Sequence, residues 1–331
     1  MSEKAQTDMS HTDSAVSVSG VTKIFTQWQR DNTGHGMLRN LLKPEKRVIT
    51  ALDDLTFKVG KGEFVAYAGP NGAGKSTTMK LLSGMLVPSS GEISVLSMSP
   101  QKQRHALMKY LGVLFGNRTE LWWDHPVIQS FEWKKVVWDI PDDMYKRNLD
   151  MVTELLDIGD LLKTFARELS LGQRMRADLA MLLLHSPTLI LLDEPTLGLD
   201  VIAKRQMIGF LKELNERDGT TIIVTSHDMD DLEEMARRIL LISNGRITFD
   251  GDFASLRNEL GCTKRALVSF SDGSQSVIDY QDTRRLLREL SEMEGVVDIS
   301  FTQTSLEEGL ANLFAKWRTG ETVDSPSATR A

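Results

Sequence analysis

Residues 69–77 read Gly69-Pro70-Asn71-Gly72-Ala73-Gly74-Lys75-Ser76-Thr77. This is a full G-x-x-x-x-G-K-[ST] pattern. It follows directly on the apolar run Phe64 to Ala68, which reads as a strand, and opens into Ser76 to Leu82, which reads as a helix. Strand, glycine-rich turn and helix in that order are the setting a phosphate-binding loop needs. The glycines let backbone N–H groups turn onto an anion, and the helix dipole favours the bound charge. Lys75 adds a point charge for β- and γ-phosphate oxygens, and Ser76 offers a hydroxyl to Mg²⁺. The stretch predicts a nucleoside-triphosphate site in an α/β core.

Further along, Leu189-Ile190-Leu191-Leu192 has the continuous apolar character of a strand buried on both faces of a parallel sheet, and it ends in Asp193-Glu194-Pro195. Asp193 at such a strand end can hold Mg²⁺ opposite Ser76, directly or through water, while Glu194 is placed to orient or deprotonate the water that attacks a γ-phosphate. Upstream, Leu169-Ser170-Leu171-Gly172-Gln173-Arg174-Met175-Arg176 starts with a good N-cap, Ser170, and continues helically through Leu179, Leu182 and Leu183. It promises a helix N-terminus with a free hydroxyl and a glycine, which suits an anion. A last strand-like run, Thr221 to Thr225, ends at Ser226-His227-Asp228.

Taken together these segments resemble the ATP-binding cassette (ABC) ATPases, over roughly residues 16–255. The resemblance implies an α/β fold: a RecA-like core with a mainly parallel sheet, an antiparallel β subdomain, a helical subdomain and, here, a small C-terminal α/β appendage. It implies ATP and Mg²⁺ as ligands, held by the 69–77 loop with Ser76 and Asp193. It makes Glu194 the catalytic carboxylate and His227 a γ-phosphate contact that steadies it. Ser170, Leu171, Gly172 and Gln173 become the signature that meets ATP held by a second copy, and Thr196-Leu197-Gly198-Leu199-Asp200 looks like the D-loop. In Gly112 to Thr119, Asn117 stands where the family usually has a glutamine contacting Mg²⁺ and water; it keeps the amide but is one methylene shorter. Phe25 stands where the family stacks adenine on an aromatic ring, although a core position would suit it equally. The usual signature is Leu-Ser-Gly-Gly-Gln. The Leu171 variant, continuing Gly-Gln-Arg-Met-Arg, is similar to a narrower group of bacterial exporter ATPases, viologen and multidrug exporters among them, whose separate permease is of the ABC-2 type. On that resemblance the partners are a second copy of the chain, forming a homodimer, and an integral membrane permease. The location is peripheral, at the cytoplasmic face of the cell membrane.

Composition narrows the remaining classes. The net charge of −7 argues against general nucleic-acid binding. A lone cysteine, Cys262, allows no internal disulfide and suits a reducing compartment. No apolar stretch approaches the ~18–20 residues of a membrane span, and the polar Met1 to Ala15 segment does not read as a secretory signal. His11, His35, His105, His125 and His185 lack metal or triad spacing and read as structural or surface residues. The expected organisation is a disordered tail over 1–15, a nucleotide-binding domain over 16–257, a small C-terminal α/β domain over 258–318 and a second tail over 319–331. Within the large domain a helical subdomain is expected at about 101–167 and a basic amphipathic insertion at about 27–48, either near a membrane interface or simply a solvated helix. Trp122, Trp123, Phe131, Trp133 and Trp138 gather in the helical part, either as core or as a groove for a partner's helix. Two rival functions remain: a soluble ABC ATPase acting on nucleic acid or ribosomes, although the chain lacks the second cassette or long coiled coil those usually carry, and an importer ATPase.

Overall fold

The computed structural model describes residues 14–29, 45–115, 119–260, 264–280, 283–303 and 305–319. The chain enters through a long antiparallel pair, β1 (Ser14–Gln29) and β2 (Glu45–Gly60). Val16 and Val18 on β1 flank the more exposed Ser17, and Leu55, Phe57 and Val59 on β2 alternate with more exposed neighbours, so this part of each strand buries one face. Ser14 and Ala15 belong to β1, and Ala15 is fully buried, which corrects the tail expected over 1–15 at those two residues; residues 1–13 lie outside the described ones. The ladder runs out to Gln29 opposite Glu45. Both ends of the insertion expected at 27–48 are therefore strand, held by cross-strand hydrogen bonds; Met37, Leu38, Leu41 and Leu42 lie outside the described residues.

After the fully buried β3 (Phe64–Ala68) come helix α1 (Lys75–Leu82), strand β4 (Ser90–Val95), short helix α2 (Arg104–Met108) and strand β5 (Leu111–Phe115). β4 joins the far side of β1, giving a sheet of order β2-β1-β4. The helices α3 (Val127–Val137), α4 (Asp142–Leu155) and α5 (Leu171–Leu183) follow. Then β6 (Leu189–Asp193), α6 (Val201–Asp218), β7 (Thr221–Thr225), α7 (Met229–Met235), β8 (Arg238–Ser243) and β9 (Arg246–Asp252) complete a second sheet of order β5-β6-β7-β3-β8-β9. Its neighbouring pairs from β5 to β8 are parallel, which is why β3, β7 and most of β6 are continuously buried runs rather than alternating ones. The helical subdomain expected at 101–167 needs a correction at its start. Leu111 to Phe115 pairs with β6 as the edge of the main sheet, with Leu111 and Leu114 buried, so the helices past this strand begin at Val127.

The chain divides into two compact units, one running up to His227 and including Asp231–Asp250, the other comprising Asp228–Asp230 and the chain from Gly251. The second contains α8 (Phe253–Glu259), β10 (Lys264–Phe270), β11 (Gln275–Tyr280), α9 (Thr283–Ser291), β12 (Val296–Gln303) and α10 (Leu306–Thr319), with a sheet of order β11-β10-β12. Ala266 and Val268 pack with Leu286 and Leu290 of α9. Leu287 and Met293, by contrast, are exposed. Leu287 lies one residue, about 100°, from Leu286, and Met293 follows the helix end.

Candidate nucleotide site

The glycine-rich loop sits at the carboxyl end of β3, with Asn71 and Gly72 exposed at its crest and Pro70 partly so. Gly74 caps α1 at φ 113°, and a Cβ there would lie 2.7 Å from the Ala51 carbonyl oxygen, so no other residue fits. Lys75 is buried and curls back on the loop, its ammonium donating to the carbonyls of Gly69 (2.7 Å) and Pro70 (3.3 Å). Burial depresses its pKa, while the charges of Glu194 and Asp193 pull the other way. Ser76 is exposed and Thr77 half-buried at the first turn. Two supports under this loop were not anticipated. The Tyr67 hydroxyl meets Thr78 Oγ1 at 3.1 Å in the buried interior, and Thr78 in turn donates to the Gly74 carbonyl. The Asn244-Gly245 turn between β8 and β9, with both residues at positive φ, donates its Gly245 N–H to the Ala73 carbonyl at 3.1 Å. An Asn-Gly pair marks a tight hairpin in a sequence, but nothing in the dipeptide says what the turn leans on.

Strands β6 and β7 end side by side and bring the acidic pair to the loop. A cavity of ≈ 430 Å³ is lined by Ser76, Asp193 and Glu194 together with Thr119 and Glu120. Among the described residues no group of three or more His, Cys, Asp or Glu side chains could hold a metal unaided. A Mg²⁺ ion arriving on a triphosphate needs no such cage: it takes one or two protein oxygens and fills its other positions with phosphate and water. The hard oxygens of Ser76 and Asp193 in one cavity fit it. Glu194 sits at φ 59°, a left-handed conformation rare for a side chain of its kind. Its N–H is held by the Thr225 carbonyl (3.1 Å) and hydroxyl (3.0 Å), and its Oε1 lies 2.6 Å from His227 Nε2. The strained backbone aims the carboxylate at that ring.

The signature segment begins α5. Ser170 Oγ accepts from the Gln173 N–H at 3.2 Å, and Gln173 Oε1 accepts from the Ser170 N–H at 2.9 Å, a reciprocal capping box. The hydroxyl expected to be free is therefore engaged as an acceptor, with its proton and a second lone pair still to offer. Leu171 is exposed and leans over Gly198, where a Cβ would come 2.7 Å from its methyl. At Gly172 a Cβ would meet only Ala203 and Leu199 at ordinary contact distances, so nothing within this chain demands glycine there. Asp200 caps α6, accepting from the N–H groups of Ile202 (3.0 Å) and Ala203 (2.9 Å). Midway along α5, Asp178 is buried and accepts from Thr119 Oγ1 (2.8 Å) and the Glu120 N–H (3.1 Å), tying the signature helix to two residues that line the cavity. Burial pushes its pKa up to about 6, against the opposing pull of those hydrogen bonds.

Other expected site residues fare differently. Asn117 lies outside the described residues. Phe25 is half-buried on β1 opposite Ile49, with the Lys23 ammonium 5.1 Å from its ring centre, and is not among the residues lining the cavity. Ser170 and Gly172 do not line it either. Of the aromatic group, Phe131 is wholly buried and belongs to the core, whereas Trp122, Trp123 and Trp133 are exposed. His185, one of the histidines read as structural, is buried, and desolvation drives its pKa down to about 4.

A phosphate loop, an acidic strand end and a strand-end histidine on one mainly parallel sheet define a P-loop nucleoside-triphosphatase core. The ABC transporter family model matches residues 52–197. The ABC transporter ATP-binding protein YhcH of Bacillus subtilis (strain 168) is 33% identical over 210 residues, covering 63% of this chain and 67% of that one. Among solved structures, cbiO1 from Clostridium perfringens, part of the ABC transporter complex cbiONQ, superposes with a TM-score of 0.60 at 26% identity over 75% of this chain and 92% of that one. The dimeric post-hydrolysis state of the ATP-binding cassette MJ0796 bound to ADP and Pi shares the fold at TM-score 0.60 and 22% identity, over 72% and 98%. The chain belongs to the ABC transporter family: it is an ATP-hydrolysing transporter subunit that uses ATP with Mg²⁺. No helix among the described residues is long and apolar enough to cross a membrane.

Proposed function

We propose that this ATPase powers export through a separate ABC-2-type permease, working as a homodimer at the cytoplasmic face of the membrane. Each ATP would lie between Lys75, Ser76, Asp193, Glu194 and His227 of one copy and Ser170 to Gln173 of the other. The observation that carries the hydrolytic part is the 2.6 Å contact between His227 Nε2 and Glu194 Oε1 beside the cavity that Ser76 and Asp193 share. In this reading one oxygen of Glu194 is steadied by the imidazole while the other takes the proton of the attacking water. Lys75, satisfied by the Gly69 and Pro70 carbonyls, gives up those bonds to the arriving phosphates, so its charge is never left unpaired. Held by Ser76 and Asp193, Mg²⁺ would offset the charge of the β- and γ-phosphates. Asn117 is assigned the remaining amide contact and Phe25 the adenine ring; Asp200 and the signature belong to the copy-to-copy face.

Export is favoured by the Leu-Ser-Leu-Gly-Gln-Arg-Met-Arg signature, which resembles exporter ATPases. Kinship alone leaves the direction open. MetN of Carboxydothermus hydrogenoformans, named for methionine import, is 30% identical, and YbhF of Escherichia coli (strain K12), named "Probable multidrug ABC transporter ATP-binding protein", is 32% identical. Glu194→Gln in the purified chain tests the site: ATP binding is retained, turnover falls by about 10²-fold or more, and a dimer is trapped. Wild-type turnover in that variant would remove Glu194 from its role. Copurification with a membrane protein encoded beside it tests the partner, since a six-span permease is the expected companion.

A further inference from the structure

Thr225 is the last residue of β7 and is fully buried, following the wholly apolar Ile222-Ile223-Val224. A hydroxyl in such a place is costly unless both its donor and acceptor are used. Both are. The hydroxyl donates to Asp193 Oδ1 at 2.7 Å, the short distance of a charge-assisted bond. It accepts the Glu194 N–H at 3.0 Å, an N–H that the Thr225 carbonyl also accepts at 3.1 Å. One side chain on the neighbouring strand therefore touches both acidic residues at the end of β6. Two residues further on, the same chain segment delivers His227 to the Glu194 carboxylate.

We propose that Thr225 is a positioning residue for ATP hydrolysis, fixing the Asp193 carboxylate for Mg²⁺ and the Glu194 backbone for attack by water. This rests on the reading of Asp193 and Glu194 given above. Occupying Oδ1 with a directed donor selects one rotamer of Asp193 and leaves its other acceptor sites for the cation. The same hydroxyl, with the strand carbonyl, pins the N–H of a residue at φ 59°, so the rare conformation of Glu194 is held at its backbone as well as at its carboxylate. Packing alone would not call for a hydroxyl: valine has the same shape, and valine already stands at residue 224.

The full chain carrying Thr225→Val or Thr225→Ser tests this, with Glu194→Gln in parallel. Three readings are taken: steady-state ATP turnover as a function of Mg²⁺, ATP affinity by calorimetry with Mg²⁺ and with EDTA, and thermal stability. Losing a hydrogen bond to a charged group should lower turnover about tenfold or more in Thr225→Val. It should also raise the Mg²⁺ concentration for half-maximal activity several-fold and shrink the gain in ATP affinity that Mg²⁺ confers, while affinity in EDTA stays near wild type and the melting temperature falls by no more than about a few degrees. Thr225→Ser, which keeps the hydroxyl, should restore all three. Should Thr225→Val fold poorly, Thr225→Cys, whose thiol is a far weaker donor than a hydroxyl, is read in the same way. Wild-type behaviour of Thr225→Val beside an inactive Glu194→Gln overturns the inference and leaves the site reading intact. Equal slowing by valine and serine with an unchanged Mg²⁺ response overturns it too, in favour of packing. A Glu194→Gln variant as active as wild type brings down the site reading, and the inference with it.

Discussion

Ser170 carries two demands that can be separated by chemistry. It caps α5 through the Gln173 N–H, and in the proposed dimer it faces the γ-phosphate of the other copy's ATP. Removing the cap by Ser170→Ala should cost about 1 kcal/mol of stability together with activity. Ser170→Asp caps a helix as well as serine does but sets a carboxylate against the phosphates, so its thermal stability should match wild type while ATP-driven dimerisation and turnover are lost. An active Ser170→Asp enzyme would show that the segment never meets a nucleotide. At this scale the sequence is legible where the chemistry is local. The 69–77 loop and the Asp193-Glu194 pair are contiguous and announce themselves. The Ser170-x-x-Gln173 spacing of the capping box is equally local. Thr225 and Asp178 could not be read at all, because their partners lie 32 and 59 residues away and a lone threonine or aspartate carries no spacing signal.

Between elements, the bond from Asp178 to Thr119 and Glu120 joins the signature helix to the wall of the nucleotide cavity. Its carboxyl is pushed up to about 6, above the usual ~3.9. Between roughly pH 4 and 6 the folded chain keeps a proton that the unfolded chain releases, so this group's contribution to stability falls as pH rises through that window. His185 works in the opposite sense: lowered to about 4, it makes stability rise with pH between about 4 and 6.5. Asp178→Asn keeps an oxygen for both donors and abolishes only the first titration. The variant's stability relative to wild type should therefore climb from pH 4 to 6 by on the order of 2 kcal/mol, as measured by denaturant unfolding at a series of pH values. Parallel curves would mean that Asp178 ionises as it would in water. The elements themselves were legible where they were long and periodic, as in α5, β6 and β7. They were misread where the environment decides. β5 is five residues of apolar chain within a helix-rich stretch, and only its pairing with β6 identifies it as the sheet edge.

Over the whole nucleotide-binding unit, the aromatic segment shows how a site on the sheet could move a partner. Trp122, Trp123 and Trp133 are exposed, and the surface they form is tied to both ends of the signature helix. At its start the Arg174 guanidinium lies 5.2 Å over the Trp123 ring. Past its end, His185 closes a chain of rings running from Trp122 through Trp133 and Trp138 at centroid separations of 5.6, 6.5 and 6.2 Å. Rotation of α5, driven by ATP at the signature, would carry the tryptophans with it and load whatever is docked on them. The proposed occupant is the permease, and two substitutions distinguish docking from packing. Trp123→Ala removes an exposed ring, so it should leave unfolding and ATP binding nearly unchanged while costing about 2 kcal/mol of permease association, seen as loss of copurification in detergent. Phe131→Ala empties a fully buried position and should instead lower stability by about 3–5 kcal/mol, weakening association only through loss of folded protein. A Trp123→Ala chain that still copurifies with the permease at wild-type yield, and still couples its turnover to the presence of that permease, would place the docking surface elsewhere on the molecule.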